Sequence, residues 1–259
     1  ASQTLKISCP KAAGGTVTFD YYYPTPDADR PKVLVLIPGY NGSGRAQLTK
    51  FWTQFADRFG LVLLAPTFHA TIEEIQSRSG YYYPDLWSGD VLLDAIAEIK
   101  QRVDADCSQF YLYGHSAGAH FAHRFALWRP DRVGAFVAYS AAWWDSPTEA
   151  IAEVPALIMC GEDDPRYDAT LTFFLESKAF DAPWVWRGYR STGHESTPTV
   201  VRMAATFLEN YLTGEPDAPL IGDIQTYETT NWSERSTVPE DARVRLPSPK
   251  VAEIWRREN

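Results

Sequence analysis

The sequence contains no long apolar run. Its longest uninterrupted apolar stretches, such as Val33 to Pro38 and Leu61 to Pro66, fall far short of the ~18–20 residues that a membrane-spanning helix requires. A surplus of positive charge is missing too: Lys and Arg number 24 against 33 Asp and Glu, a net charge of −9. Such a balance repels nucleic acid and anionic membrane surfaces, so neither is expected as a partner. Cysteine is scarce, with only Cys9, Cys107 and Cys160. Three scattered residues exclude a disulfide scaffold, although a single Cys9–Cys107 bridge stays open. Histidine is nearly as scarce, at five. His120 and His123 fall three apart on a predicted helix, a spacing that reads as a packed or solvated face rather than a metal site.

What is present is a full core's worth of apolar residues, 45% of 259, arranged in alternation. Short apolar runs bounded by Pro and Gly read as buried strands: Val33–Ile37, Leu61–Ala65, Phe110–Tyr113, Gly134–Tyr139, Pro155–Cys160 and Trp184–Tyr189. Thr4–Ser8 and Thr16–Tyr22 read as an opening pair of strands. Between the runs lie helical periodicities: Arg45–Phe59, a stretch carrying Leu92, Ile96, Ile99 and Val103, Ala117–Trp128, Tyr167–Phe180 and Thr199–Leu212. Alternation of this kind predicts an α/β fold with a mostly parallel central sheet and helices on both faces. Residues 1–212 are read as one catalytic domain. From Thr213 onward prolines interrupt a polar stretch, and 213–259 is read as an extension wrapping the domain surface, with regular structure only near Val251–Trp255. The chain starts at Ala1 rather than Met, which leans towards an exported protein with a removed leader; a cytoplasmic location is the alternative. Oligomeric state has no signature.

Ligand sites in such sheets lie beyond the carboxyl ends of the strands. At one of them stands Gly114-His115-Ser116-Ala117-Gly118. The pentapeptide Gly-x-Ser-x-Gly is common by chance, but here a buried strand enters it and a helix leaves it. That setting predicts a sharp turn that projects the Ser116 hydroxyl beside the positive end of a helix. A serine needs a base, and the base an orienting acid. His194, in the loop after the last strand, is the candidate base; His69, in Pro66-Thr67-Phe68-His69, is the competitor and otherwise a pocket residue. Gly161-Glu162-Asp163-Asp164-Pro165 follows another strand and supplies the acid, with Asp164 favoured, Asp163 the alternative and Asp145 a more distant option. Backbone N–H groups of Ala117 and Tyr40, the latter in Pro38-Gly39-Tyr40-Asn41-Gly42, are the candidate oxyanion donors.

These ordered motifs resemble the α/β-hydrolase superfamily over about Val33 to Leu212. The chain looks most like bacterial esterases related to dienelactone hydrolases, feruloyl esterases and polyhydroxyalkanoate depolymerases. Dienelactone hydrolases proper use cysteine where this chain has Ser116. The resemblance implies a Ser116–His194–Asp164 triad, an acyl-enzyme intermediate and hydrolysis of carboxylic esters without a metal or organic cofactor. Amide or peptide hydrolysis by the same triad, and a non-catalytic hydrolase-fold binding protein, are the alternatives. Only Ala141 to Pro155 separates two strands where relatives insert a cap, so an open cleft is expected. Trp143 and Trp144 in that loop, with Tyr82, Tyr83 and His69 and the neighbouring Tyr81, are candidates to line it for bulky, aryl-bearing or polymeric esters.

Overall fold

The computed structural model describes residues 2–24 and 28–257. The chain divides after Gly134 into two compact units.

In the first unit, β1 (Ser2–Ser8) and β2 (Thr16–Tyr22) form an antiparallel hairpin. Next come β3 (Lys32–Ile37), α1 (Gly44–Gln47), α2 (Lys50–Phe59), β4 (Leu61–Thr67), α3 (Ile72–Gln76), α4 (Gly89–Val103), β5 (Asp106–His115) and α5 (Ala117–Trp128). The strands lie in the order β1-β2-β4-β3-β5. β2 is antiparallel to β4, whereas β3 runs parallel to both β4 and β5. β3 and β4 are buried along almost their whole length, which is why their sequences are unbroken apolar runs rather than alternating ones. α5 packs on β5 and β3, and α2 on β4.

Two of the boundaries that differ from those expected have a visible cause. The single helix over Arg45–Phe59 is two helices, because Thr49 adopts an extended conformation and its hydroxyl accepts the Trp52 N–H, starting α2 afresh. β5 begins at Asp106, four residues before the apolar run, since Asp106 pairs with Lys32 ahead of an irregularity in the β3–β5 register.

The second unit holds most of β6 (Val133–Tyr139), α6 (Glu149–Ala152), β7 (Ala156–Gly161), α7 (Tyr167–Ser177), β8 (Val185–Tyr189) and α8 (Pro198–Leu212). β6, β7 and β8 are parallel neighbours in that order. The connection from β6 to β7 contains nothing larger than the one-turn α6, so no large cap is inserted there. Each unit holds parallel strands joined through helices, the mostly parallel α/β class that the alternation implied.

The polar C-terminal stretch is more regular than its composition suggested. It forms β9 (Leu220–Asp223), β10 (Thr229–Asn231) and β11 (Arg243–Leu246), a three-stranded antiparallel sheet ordered β10-β9-β11, followed by α9 (Pro249–Arg256). Strands of three or four residues are too short for periodicity to reveal. Ile221, Val238 and Ala242 make a small core beneath the sheet. Trp255 is fully buried and its indole N–H donates to the Trp186 carbonyl at 2.7 Å. Tyr227 accepts the Gly188 N–H at 2.9 Å. Both β8 groups are therefore satisfied by side chains from the C-terminal stretch. Arg187, 3% exposed, donates to the Trp255 and Arg257 carbonyls at 2.7 and 2.8 Å, which caps the end of α9 with positive charge. Cys9, Cys107 and Cys160 are all free and buried. No described helix is long and apolar enough to cross a membrane.

Candidate active site

Ser116 stands between β5 and α5 with φ 59° and ψ −115°. For a residue with a Cβ this is a strained conformation costing of order 1–3 kcal/mol. Neighbouring glycines make it possible by letting the backbone close up. A Cβ on Gly114 would lie 2.1 Å from the Gly118 carbonyl carbon, and one on Gly118 would lie 2.2 Å from the Ile37 oxygen. The Ser116 carbonyl is held three times over, accepting from the Ala119 N–H at 2.9 Å, the His120 N–H at 3.1 Å and His120 Nδ1 at 3.0 Å. These bonds fix the turn at the N-terminus of α5, where helix dipole and unpaired N–H groups favour negative charge.

The Pro38–Gly42 loop lies alongside, since a Cβ on Gly39 would be 3.9 Å from the His115 oxygen. Asn41, at φ 49°, fastens this loop. Its side chain exchanges two hydrogen bonds with the Ala70 backbone, at 2.9 and 3.1 Å, while its N–H donates to Tyr81 Oη at 3.3 Å. The Tyr40 hydroxyl donates to the Ala70 carbonyl at 3.0 Å. Among the described residues, the N–H groups of Tyr40 and Ala117 take no hydrogen-bond partner, which leaves both available as donors.

The second unit brings Asp164 and His194 together. His194 Nδ1 lies 2.6 Å from Asp164 Oδ2. The acid loop and the histidine loop are pressed against each other: a Cβ on Gly161 would lie 2.2 Å from the Thr192 oxygen, and the Asp163 N–H donates to that oxygen at 2.9 Å. The Asp164 side chain is wholly buried. Burial alone would raise its pKa. Hydrogen bonds from Ser140, the Arg166 N–H, His194 and the Arg166 guanidinium outweigh that effect and hold the carboxyl at about 2. Arg166 supplies 3.0 Å and 3.2 Å contacts to Oδ1. Asp163, by contrast, is exposed, and Asp145 is only partly buried.

Ser140 was not legible as a site residue. It follows β6 with φ 59°, is completely buried, donates to Asp164 Oδ2 and lies 3.0 Å from His194 Nδ1. Its position just past a strand's carboxyl end was the only available signal, and a lone serine there forms no motif.

The aromatic candidates separate. Trp143 is 58% exposed. Trp144 is partly buried, donates to the Ala141 carbonyl at 2.9 Å and stacks on Phe173 at 4.5 Å. Tyr82, expected along the cleft, is instead 5% exposed and stacked on His120 at 4.7 Å. It supports the side chain that holds the Ser116 carbonyl. Tyr81 is likewise buried against Phe68, and burial pushes its phenol pKa up. Tyr83 is partly exposed beneath the Arg124 guanidinium, 4.4 Å away. His69 is exposed beyond the end of β4 and takes no hydrogen bond among the described residues. His123, with Nδ1 2.8 Å from the Ala119 carbonyl, is buried, and burial drives its pKa down to about 3.

The chain has the α/β-hydrolase fold. No protein-family model matches it, and no curated protein matches it by sequence. Its similarity is to solved structures. A poly(3-hydroxybutyrate) depolymerase from Bordetella parapertussis superimposes with a TM-score of 0.65 at 22% identity, covering 84% of this chain and 92% of that one. An S-formylglutathione hydrolase from Agrobacterium tumefaciens gives a TM-score of 0.65 at 17% identity over 82% and 94% of the two chains. A ferulic acid esterase gives 0.63 at 14% identity over 82% and 96%.

Proposed function

We propose that this chain is a serine carboxylic-ester hydrolase in which Ser116 is the nucleophile, His194 the general base and Asp164 the residue that orients it. The observation carrying this reading is the buried Asp164 carboxylate on His194 Nδ1. An ionised carboxylate there keeps the ring proton on Nδ1 and leaves Nε2 as the basic nitrogen, the tautomer that can deprotonate a serine. Ser116 then adds to the ester carbonyl, the oxyanion is held by the Tyr40 and Ala117 N–H groups, and His194 returns the proton to the departing alcohol. Water, deprotonated by His194, releases the acid and restores Ser116. The fold's neighbours include enzymes named for ester substrates, which supports an ester as the substrate. The short β6–β7 connection and exposed Trp143 favour bulky or aryl esters.

Diisopropyl fluorophosphate and a p-nitrophenyl ester series, run beside a peptide substrate, test the reading. Stoichiometric labelling of Ser116, with ester turnover lost in Ser116→Ala by a factor of about 10⁴–10⁶, is expected. Wild-type turnover in that variant overturns the mechanism, and faster cleavage of the peptide moves the activity to amides.

A further inference from the structure

We infer, on the basis of the esterase reading above, that Tyr81 is a positioning residue for catalysis: its phenol holds the turn that carries the Tyr40 oxyanion donor in one of two backbone orientations.

The loop after β3 closes as a four-residue turn, with the Gly42 N–H donating to the Gly39 carbonyl at 2.9 Å. Asn41 occupies the third position at φ 49°, where Asn and Gly are best tolerated. Turns of types I and II differ mainly by reversal of the central peptide, here the one joining Tyr40 to Asn41. Positive φ at Asn41 marks the type II sense. The Ala70 backbone grips the side chains of Tyr40 and Asn41, contacts that reach this peptide only through rotatable bonds. The Tyr81 hydroxyl grips it directly, accepting the Asn41 N–H at 3.3 Å. Reversal of the peptide would break that bond.

Tyr81 itself is fixed. Its buried ring is stacked on Phe68 at 5.0 Å and stands edge-on to Tyr82 at 5.0 Å. Ser88, also buried, donates to its carbonyl at 2.8 Å. Burial, followed by the neighbouring Tyr82, pushes the phenol pKa up, so the hydroxyl stays neutral across the pH range in which a histidine base works. A buried tyrosine hydroxyl takes a polar partner, and the partner here is the amide next to the one assigned to the oxyanion. The turn thus keeps the Asn41 N–H occupied and leaves that of Tyr40 open. Oxyanion stabilisation depends on donors already in place when charge develops. A turn free to reverse meets that condition only part of the time.

The test compares wild type with Tyr81→Phe, which keeps the stacked ring and removes only the hydroxyl. Reactive serine is first counted by exhaustive labelling with diisopropyl fluorophosphate, so that kcat refers to folded sites. For p-nitrophenyl acetate, kcat per titrated serine should fall about tenfold, less than the ~10²–10³ that follows outright loss of an oxyanion donor, while KM stays within about twofold. Phenylboronic acid, which forms a tetrahedral adduct on a serine, should bind about tenfold more weakly. A hydroxyl that served packing alone would lower thermal stability and leave kcat per titrated serine and boronate affinity at their wild-type values, and that result overturns the inference. A second measurement uses the wild type only: boronate binding should move the Tyr40 amide proton downfield by more than that of Asn41. The opposite ranking puts the Asn41 N–H in the oxyanion hole and overturns the inference whether or not the variant folds. A wild type without a titratable serine overturns the esterase reading and the role of Tyr81 with it, whereas a titratable serine with unchanged kcat in Tyr81→Phe overturns that role alone.

Discussion

Ser140 and His194 address the same oxygen of Asp164: the serine hydroxyl donates to Oδ2, and the imidazole Nδ1 lies 2.6 Å from it. The carboxylate is thus held by a group from the end of β6 as well as by the histidine.

Removing that hydroxyl should therefore act through Asp164. In Ser140→Ala the Asp164 pKa should rise from about 2 towards the ordinary 3.8. Because the folded-state pKa is the depressed one, Asp164 contributes stability that is complete above the unfolded value and is lost as pH falls through about 2. The variant should lose part of that contribution, so its acid unfolding midpoint should move to higher pH than wild type in a circular-dichroism titration. An unchanged midpoint would mean that the hydroxyl does not hold the carboxylate.

Asp164→Asn should lower kcat for ester hydrolysis by about 10⁴, whereas Asp163→Asn should change it less than about threefold, its side chain being exposed. Steady-state kinetics on both variants decide the assignment. The reverse ranking moves the role to Asp163, and small effects in both point to Asp145.

The strain at Ser116 can be measured separately from its chemistry. Ser116→Gly and Ser116→Ala should both be inactive, but the glycine variant should be more stable than the alanine variant by about 1 kcal/mol, since only glycine adopts φ 59° without cost. Urea denaturation of the pair reads the difference directly; equal midpoints would place no strain at the turn.

The two adjacent tryptophans should behave differently. Trp143→Ala should raise KM for aryl esters a few-fold more than for acetate esters, with kcat and stability little changed, as expected for a contact made equally in ground and transition states. Trp144→Ala removes a ring stacked on Phe173 and should instead lower stability by roughly 1–3 kcal/mol. Identical KM values in Trp143→Ala and wild type would remove the ring from the substrate path.

The parts of the site that could be read from sequence are those written as local patterns. Gly-x-Ser-x-Gly after an apolar run specifies a turn because both glycines are demanded by backbone contact. The order of strands likewise put Asp164 and His194 in loops that the structure joins. Ser140, Asn41 and His120 carry no such pattern. Each acts through a partner 4 to 54 residues away, and nothing in its immediate neighbours announces that meeting. The tyrosine run misled for the opposite reason. Three aromatics in a loop suggest a rim, but tertiary packing turned Tyr81 and Tyr82 inward. The short strands beyond Thr213 lay below the length at which alternation can be recognised.

The side chains that close off β8 have a consequence for how the molecule coexists with its own copies. Among the described residues β8 pairs with β7 on one side only, and a terminal strand with open backbone groups is a template on which a strand from another chain can add. Tyr227 and Trp255 occupy the Gly188 N–H and the Trp186 carbonyl, supplying from two rings what an incoming strand would otherwise supply from its backbone. A chain ending near Thr213 would keep all three proposed catalytic residues yet lose this plug. Its failure would therefore be one of self-association rather than of chemistry, with catalytic competence outlasting solubility.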